Sequence, residues 1–95
     1  MMSRAIWNGV TLAESDRCET VDGHLYFPPK SLNREFLRES PTRTAGKVRG
    51  ICNYYDVVVG EEVNRDAAWY HPAPLPAFES IRDYVAFWKG VSVEP

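Results

Sequence analysis

The chain has 95 residues, of which 44% are hydrophobic and 25% charged, with a formal charge of −2; this fits one soluble globular domain with a modest core. The near-neutral balance gives no reason to expect nucleic acid or a membrane as a partner, and no apolar run approaches the roughly 20 residues that span a bilayer. Two cysteines, Cys18 and Cys52, make no disulfide framework, and the opening MMSRAIWNG lacks the apolar core of a signal peptide, so the expected setting is the cytoplasm.

The first 27 residues read as two β-hairpins. RAIW and VTLAES flank Asn8-Gly9, and CETV and HLYF flank Asp22-Gly23. Asn-Gly and Asp-Gly tolerate the two positive φ angles of a type I′ turn, which matches the twist of paired strands. Pro28-Pro29 then ends the ladder, because proline has no amide hydrogen to donate.

SLNREFLRES, residues 31–40, predicts a helix. Ser31 stands at the cap position, Leu32, Phe36 and Leu37 recur at helical spacing, and Arg34 and Arg38 share an outer face. Ser40-Pro41 would stop it. TAGKVRG, residues 44–50, is a glycine-containing loop, and ICNYYDVVVG after it is rich in β formers. Alternation puts Ile51, Asn53, Tyr55, Val57 and Val59 on one face and Cys52, Tyr54, Asp56 and Val58 on the other. Apolar residues on both faces predict a central strand covered on both sides. EEVNRDAAWY returns as a further strand, HPAPLP is an extended surface segment, AFESIRD makes a helical turn and YVAFWKGVSV supplies the last strands. The expected fold is mainly β: two antiparallel sheets of seven or eight short strands with one or two short helices.

Charge is unevenly placed. Lys30, Arg34, Arg38, Arg43, Lys47 and Arg49 face only Glu35 and Glu39 within residues 30–49. The plain reading is a solvated surface; the sharper one is a patch that steers a small anionic ligand. TAGKVRG itself is not a phosphate-binding P-loop. Pro41 occupies the first glycine position, Val48 replaces the hydroxyl residue after Lys47, and a strand follows where a helix is required.

Other chemistry is sparse. Cys18, Cys52, His24 and His71 lack the close pairing of structural zinc sites, so no metal is expected. A thiol within a strand is ordinarily inert packing. Glu14 and Asp56 are the carboxylates in apolar company; burial would make them proton handlers, whereas an arginine partner or a turn to cap would make them structural, which is the plainer reading. Most of the aromatic residues must be core, with some left to line a cleft between the two sheets.

RAIWNGVTLAES, VDGHLYFPP, ESPTRTAGKVRGICNYYDV, DAAWYHPAP and YVAFWKGV, in this order and spacing, resemble almost end to end a bacterial domain-of-unknown-function family that carries a nucleotidyltransferase-like label. The resemblance implies a β-tent-type arrangement in which two antiparallel sheets meet at an angle, with no metal; no cofactor is expected. The family's loop pattern is Thr-x-Cys-Pro-x-Lys-Gly-x-Ala-x-Tyr. Thr44, Gly50 and Tyr54 match it, while Gly46 takes the cysteine position, Lys47 the proline, Arg49 the lysine and Cys52 the alanine. Glu14, Tyr26 and Trp69 stand where the family has them. Arg49 suits an anion-binding role better than a proton-carrying one, because a guanidinium stays protonated. The label itself carries little, since nucleotidyl transfer normally uses metal held by spaced carboxylates and no such pair is present.

Three functional readings follow. The first is a binding domain for a small anionic ligand, with Tyr26, Tyr54 and Trp69 as walls, Arg49 and Glu14 as polar contacts and Thr44 beside them. The second is an enzyme on a small anionic metabolite, with Glu14 as acid or base and Arg49 holding the anion. The third is a protein-interaction module that uses exposed aromatics and HPAPLP. Nothing in the sequence fixes an oligomeric state.

Overall fold

A computed structural model describes residues 2–95. Nine strands appear in chain order: β1 Ser3–Trp7, β2 Val10–Ser15, β3 Glu19–Val21, β4 His24–Tyr26, β5 Leu37–Thr44, β6 Cys52–Val59, β7 Glu62–Tyr70, β8 Val85–Phe87 and β9 Ser92–Glu94. They form a three-stranded sheet in the order β2-β1-β9, a four-stranded sheet in the order β5-β6-β7-β8, and the two-stranded β3–β4 ribbon. All the pairings within these sheets are antiparallel, so the mainly β architecture expected from the sequence is the one adopted.

Both early hairpins turn where expected. Asn8 and Gly9 have φ of 51° and 74°, and Asp22 and Gly23 have 51° and 80°, the positive pair a type I′ turn needs. The β3–β4 ribbon then joins the larger sheet. Phe27 and Val85 exchange backbone hydrogen bonds of 2.8 and 2.9 Å, so the ribbon extends the sheet beyond β8. After Pro28-Pro29, Asn33 N–H donates to the Leu12 carbonyl at 2.8 Å, and an Ala13–Leu32 bridge ties this segment to β2. Two layers result, one built on each sheet.

The space between them is filled. Ala5, Leu12 and Ala13 from the smaller sheet meet Val57, Ala68, Tyr70, Val85 and Phe87 from the larger, with Phe27 fully buried among them. Period-two alternation gives the reverse face a different set: Tyr26, Ile81 and Ala86, with Trp69, Phe78 and Tyr84 packed around them.

The predicted helix at residues 31–40 does not form. Pro29–Ser31 and Arg34–Phe36 are single 3₁₀ turns, and Leu37–Thr44 is strand β5. The apolar spacing of Leu32, Phe36 and Leu37 serves sheet burial instead, as Leu32 packs on β2 and Leu37 pairs with Val57. Tertiary pairing overrides a helical period over so short a stretch. Pro41 therefore does not stop a helix. It lies in a bulge of β5, an edge strand, where its missing N–H breaks no required pairing.

Asp56 holds an arginine, the structural reading of this carboxylate. It is buried, receives Arg38 Nη2 at 3.1 Å on Oδ2 and accepts the Asp66 N–H at 2.9 Å on Oδ1. Opposite it, β7 bulges, and Asp66 adopts φ of 54°. The Asp66 carboxylate in turn accepts from the Ser40 and Thr42 hydroxyls, within the bulge of β5, at 2.5 and 2.8 Å. These bonds hold the Asp66 carboxyl below its ordinary pKa, the Ser40 hydroxyl contributing most. Nearer the core, Tyr70 stacks on Tyr55 with ring centroids 4.6 Å apart and donates to Glu39 at 2.5 Å. Burial, reinforced by that bond, pushes the Tyr70 phenol up to about 12.

Candidate functional site

The expected cleft between the sheets does not exist, because that space is core. A cavity of about 450 Å³ lies instead on the reverse face of the four-stranded sheet. Alternation explains its lining. Thr44 ends β5, Cys52 and Tyr54 lie on β6 opposite in direction to the core-facing Tyr55 and Val57, and Trp69 lies between the core residues Ala68 and Tyr70 on β7. Tyr26, on the ribbon, precedes the core residue Phe27 and points the other way.

The loop TAGKVRG roofs this cavity, with Gly46, Lys47, Val48, Arg49 and Gly50 all lining it. Its glycines are needed for close approach. A Cβ on Gly46 would collide with the Gly50 carbonyl oxygen, and Gly50 has φ of 105° with a Cβ position 3.0 Å from the Ala73 carbonyl oxygen. Gly50 N–H donates to the Gly46 carbonyl at 3.1 Å, and Leu75 N–H to that of Arg49 at 3.0 Å. HPAPLP is thus more than an exposed surface strip: Pro74 is buried, and the segment braces the roof.

Arg49 spans from roof to ribbon. It forms an ion pair with Asp22 in the β3–β4 turn, and its guanidinium lies 5.7 Å from the Phe78 ring centroid. The Asp22 side chain is 67% exposed against 28% for Arg49, so water screens the pair from the Asp22 side. Thr44 and Tyr54 share a 3.1 Å hydrogen bond, and Trp69 Nε1 donates to the Tyr26 hydroxyl at 3.1 Å. The Trp69 ring stands nearly perpendicular to those of His24, Tyr26 and Trp88, presenting faces and edges to anything between them.

Burial sets the electrostatics. It raises the pKa of Tyr26, Tyr54 and Cys52, outweighing the hydrogen bonds that pull the other way, so these groups stay neutral. The fixed charges lining the cavity are then Lys47 and Arg49 against Asp22. Of the basic residues in 30–49, only these two reach the cavity; Arg34 is bonded to Tyr55, Arg38 to Asp56 and Arg43 to the Ser40 carbonyl.

His71, one turn of the alternation beyond Trp69, also lines the cavity and is 4% exposed. Nδ1 lies 3.4 Å from the Ile51 carbonyl oxygen, while Nε2 is buried without a partner. Leaving such a group unpaired costs about 1–3 kcal/mol. Burial, helped by the Arg49 charge, lowers the His71 pKa below 6.5. The unfolded ring takes up its proton near 6.5 and the folded ring only at lower pH, so the unfolded state binds more protons in that window. Stability should therefore be full above pH 6.5 and fall as pH drops below it, by at most about 1.4 kcal/mol per pH unit for one proton. Thermal melts from roughly pH 5 to 8 should show a slope that His71→Gln flattens; an unchanged slope in His71→Gln would refute this.

Thr44, Arg49, Tyr26, Tyr54 and Trp69 thus converge on one cavity. Glu14 does not. It lies on β2 of the other sheet, its Oε2 2.5 Å from Arg4 Nε, at the edge of a broader hollow shared with Lys30 and Tyr84. Its apolar neighbours in sequence face inward, while its own carboxylate turns to the cross-strand arginine. Asp22, His24, His71 and Trp88 went unassigned from sequence as ligand contacts. The period-two pattern through Trp69 and His71 carried the signal for His71, whereas Asp22 was masked by its role in the turn.

No curated protein matches the chain. A family model described as a domain of unknown function (DUF427) matches residues 2–94, and its nucleotidyltransferase-like name is all that points toward that activity. Covering all but the two ends, this match means that the chain belongs to the DUF427 family.

Proposed function

We propose that this domain binds a small anionic ligand in the cavity beneath the loop at residues 44–50. The observation that carries the reading is that Arg49, Thr44, Tyr26, Tyr54 and Trp69, from five separate segments, line one cavity of about 450 Å³, within the size range of ligand sites. Arg49 supplies the charge and a fork-shaped set of donors, Lys47 adds to the potential at the mouth, and the aromatic walls exclude water from the ligand's body. Thr44 and Tyr54 fix one side of the entrance through their mutual hydrogen bond. The reading needs no acid–base step, and Glu14, remote from Arg49 and paired with Arg4, has no part in it.

A thermal-shift screen of nucleotides, sugar phosphates and carboxylates on wild type and Arg49→Ala tests this. A stabilising anion should bind Arg49→Ala about 10- to 100-fold more weakly, the worth of a hydrogen bond to a charged group. No stabilising anion, or hits unaffected by the substitution, would refute the reading.

A further inference from the structure

Two buried polar atoms of this cavity's lining residues have no hydrogen-bond partner, Nε2 of His71 and Nε of Arg49. They are opposite in kind. Arg49 Nε carries a hydrogen and can only donate. His71 Nδ1 faces the Ile51 carbonyl oxygen at 3.4 Å; a carbonyl only accepts, so the ring hydrogen sits on Nδ1. Burial keeps the ring neutral, and Nε2 therefore presents a bare lone pair. Nearby, Thr44 and Tyr54 share a hydrogen bond and Trp69 Nε1 donates to the Tyr26 hydroxyl. An occupant complementary to these two unpaired atoms carries an acceptor with negative charge and, apart from it, a donor.

We infer that the cavity selects a small aromatic acid bearing a hydroxyl or N–H donor, with the acid group at Arg49, the donor on His71 Nε2 and the ring among Tyr26, Tyr54 and Trp69. This deepens the anion-binding reading and rests on it. Selectivity comes from the unpaired lone pair. A ligand that lacks the donor leaves the buried nitrogen unsatisfied, a stronger ground for rejection than a change in apolar volume. The plain aromatic acid would still gain the Arg49 contact but not the second anchor.

The test titrates the full chain calorimetrically with benzoate, 3- and 4-hydroxybenzoate and the two methyl ethers, 3- and 4-methoxybenzoate. At least one hydroxybenzoate should bind about fivefold or more tightly than benzoate and than its own methyl ether. In His71→Phe, whose ring offers no hydrogen-bond acceptor nitrogen, that advantage should shrink toward one. The ether comparison uses unaltered protein, so it decides the matter even if the variant fails to fold. The ¹⁵N resonance of His71 Nε2 should move on adding the hydroxybenzoate and not on adding benzoate. Equal binding of all five acids would overturn the donor inference and leave anion binding standing. Failure of all five, with another anion still binding in an Arg49-dependent way, would do the same. Failure of every anion would overturn both.

Discussion

Phe27→Ala should cost about 3–5 kcal/mol, the largest loss expected from a single core truncation in this chain. For a domain of this size that corresponds to a fall in Tm of roughly 15 °C or more. Phe27 is fully buried in the main core and meets Phe87 edge-on at 5.7 Å. Its backbone also makes both hydrogen bonds that fasten the β3–β4 ribbon to β8. The side chain anchors that junction, so the cavity left by its removal sits where the ribbon's only backbone bridge to the large sheet among the described residues must hold. The ribbon carries Asp22, His24 and Tyr26, one wall of the candidate site. Phe27→Leu, which keeps most of the volume, should cost under about 1.5 kcal/mol. Chemical denaturation gives both values, and hydrogen exchange should show the ribbon amides opening more readily in the alanine variant. A loss below about 1 kcal/mol for Phe27→Ala, or unchanged ribbon exchange, would show that the junction is held by other contacts.

The parts of this fold that were legible in the sequence are those with local causes. Asn8-Gly9 and Asp22-Gly23 specify their turns through the φ angles those residues tolerate. The alternation in ICNYYDVVV sorted β6 correctly into a core face and a second covered face. Residues 31–40 show where local reasoning fails. Three apolar residues at helical spacing fit a helix, yet the same residues gain more from pairing with β2 and β6, and a ten-residue helix has little stability of its own to resist that. The two bulges were also hidden, since a bulge is decided by the register of neighbouring strands. The candidate site was half legible for the same reason. Tyr26, Tyr54 and Trp69 follow from alternation once the strands are placed, and Arg49 from the loop. Glu14 had apolar neighbours in sequence, but only the cross-strand register reveals Arg4 opposite it. The cavity's position on the reverse face of the large sheet depends on how the ribbon and the loop fold over it, which no local pattern encodes.

Asp56→Ala should destabilise by about 2–3 kcal/mol, a large effect for one polar side chain. The carboxylate is 6% exposed and serves two partners at once: the Arg38 guanidinium from β5 and the Asp66 N–H from the bulge of β7. Removing it strands a backbone donor at a left-handed residue that has no regular ladder partner. Arg38 is 53% exposed and can turn to water, which is why the loss falls short of that for a fully buried pair. Asp56→Asn separates the two contributions. Its side-chain carbonyl can still accept from Asp66, so only the charge is lost and the cost should be about 1 kcal/mol. Added salt should narrow the gap between wild type and the asparagine variant while leaving that between asparagine and alanine nearly unchanged. The consequence reaches the site, because Trp88 Nε1 donates to the Asp66 carbonyl at 2.5 Å and its ring forms the wall beside Trp69. Loosening the bulge should therefore alter tryptophan fluorescence in Asp56→Ala more than in Asp56→Asn. Equal costs for the two variants would mean that the ion pair carries the whole effect and the bulge needs no acceptor. A cost below about 1 kcal/mol for alanine would mean that Ser40 and Thr42, through the Asp66 carboxylate, hold the bend without Asp56.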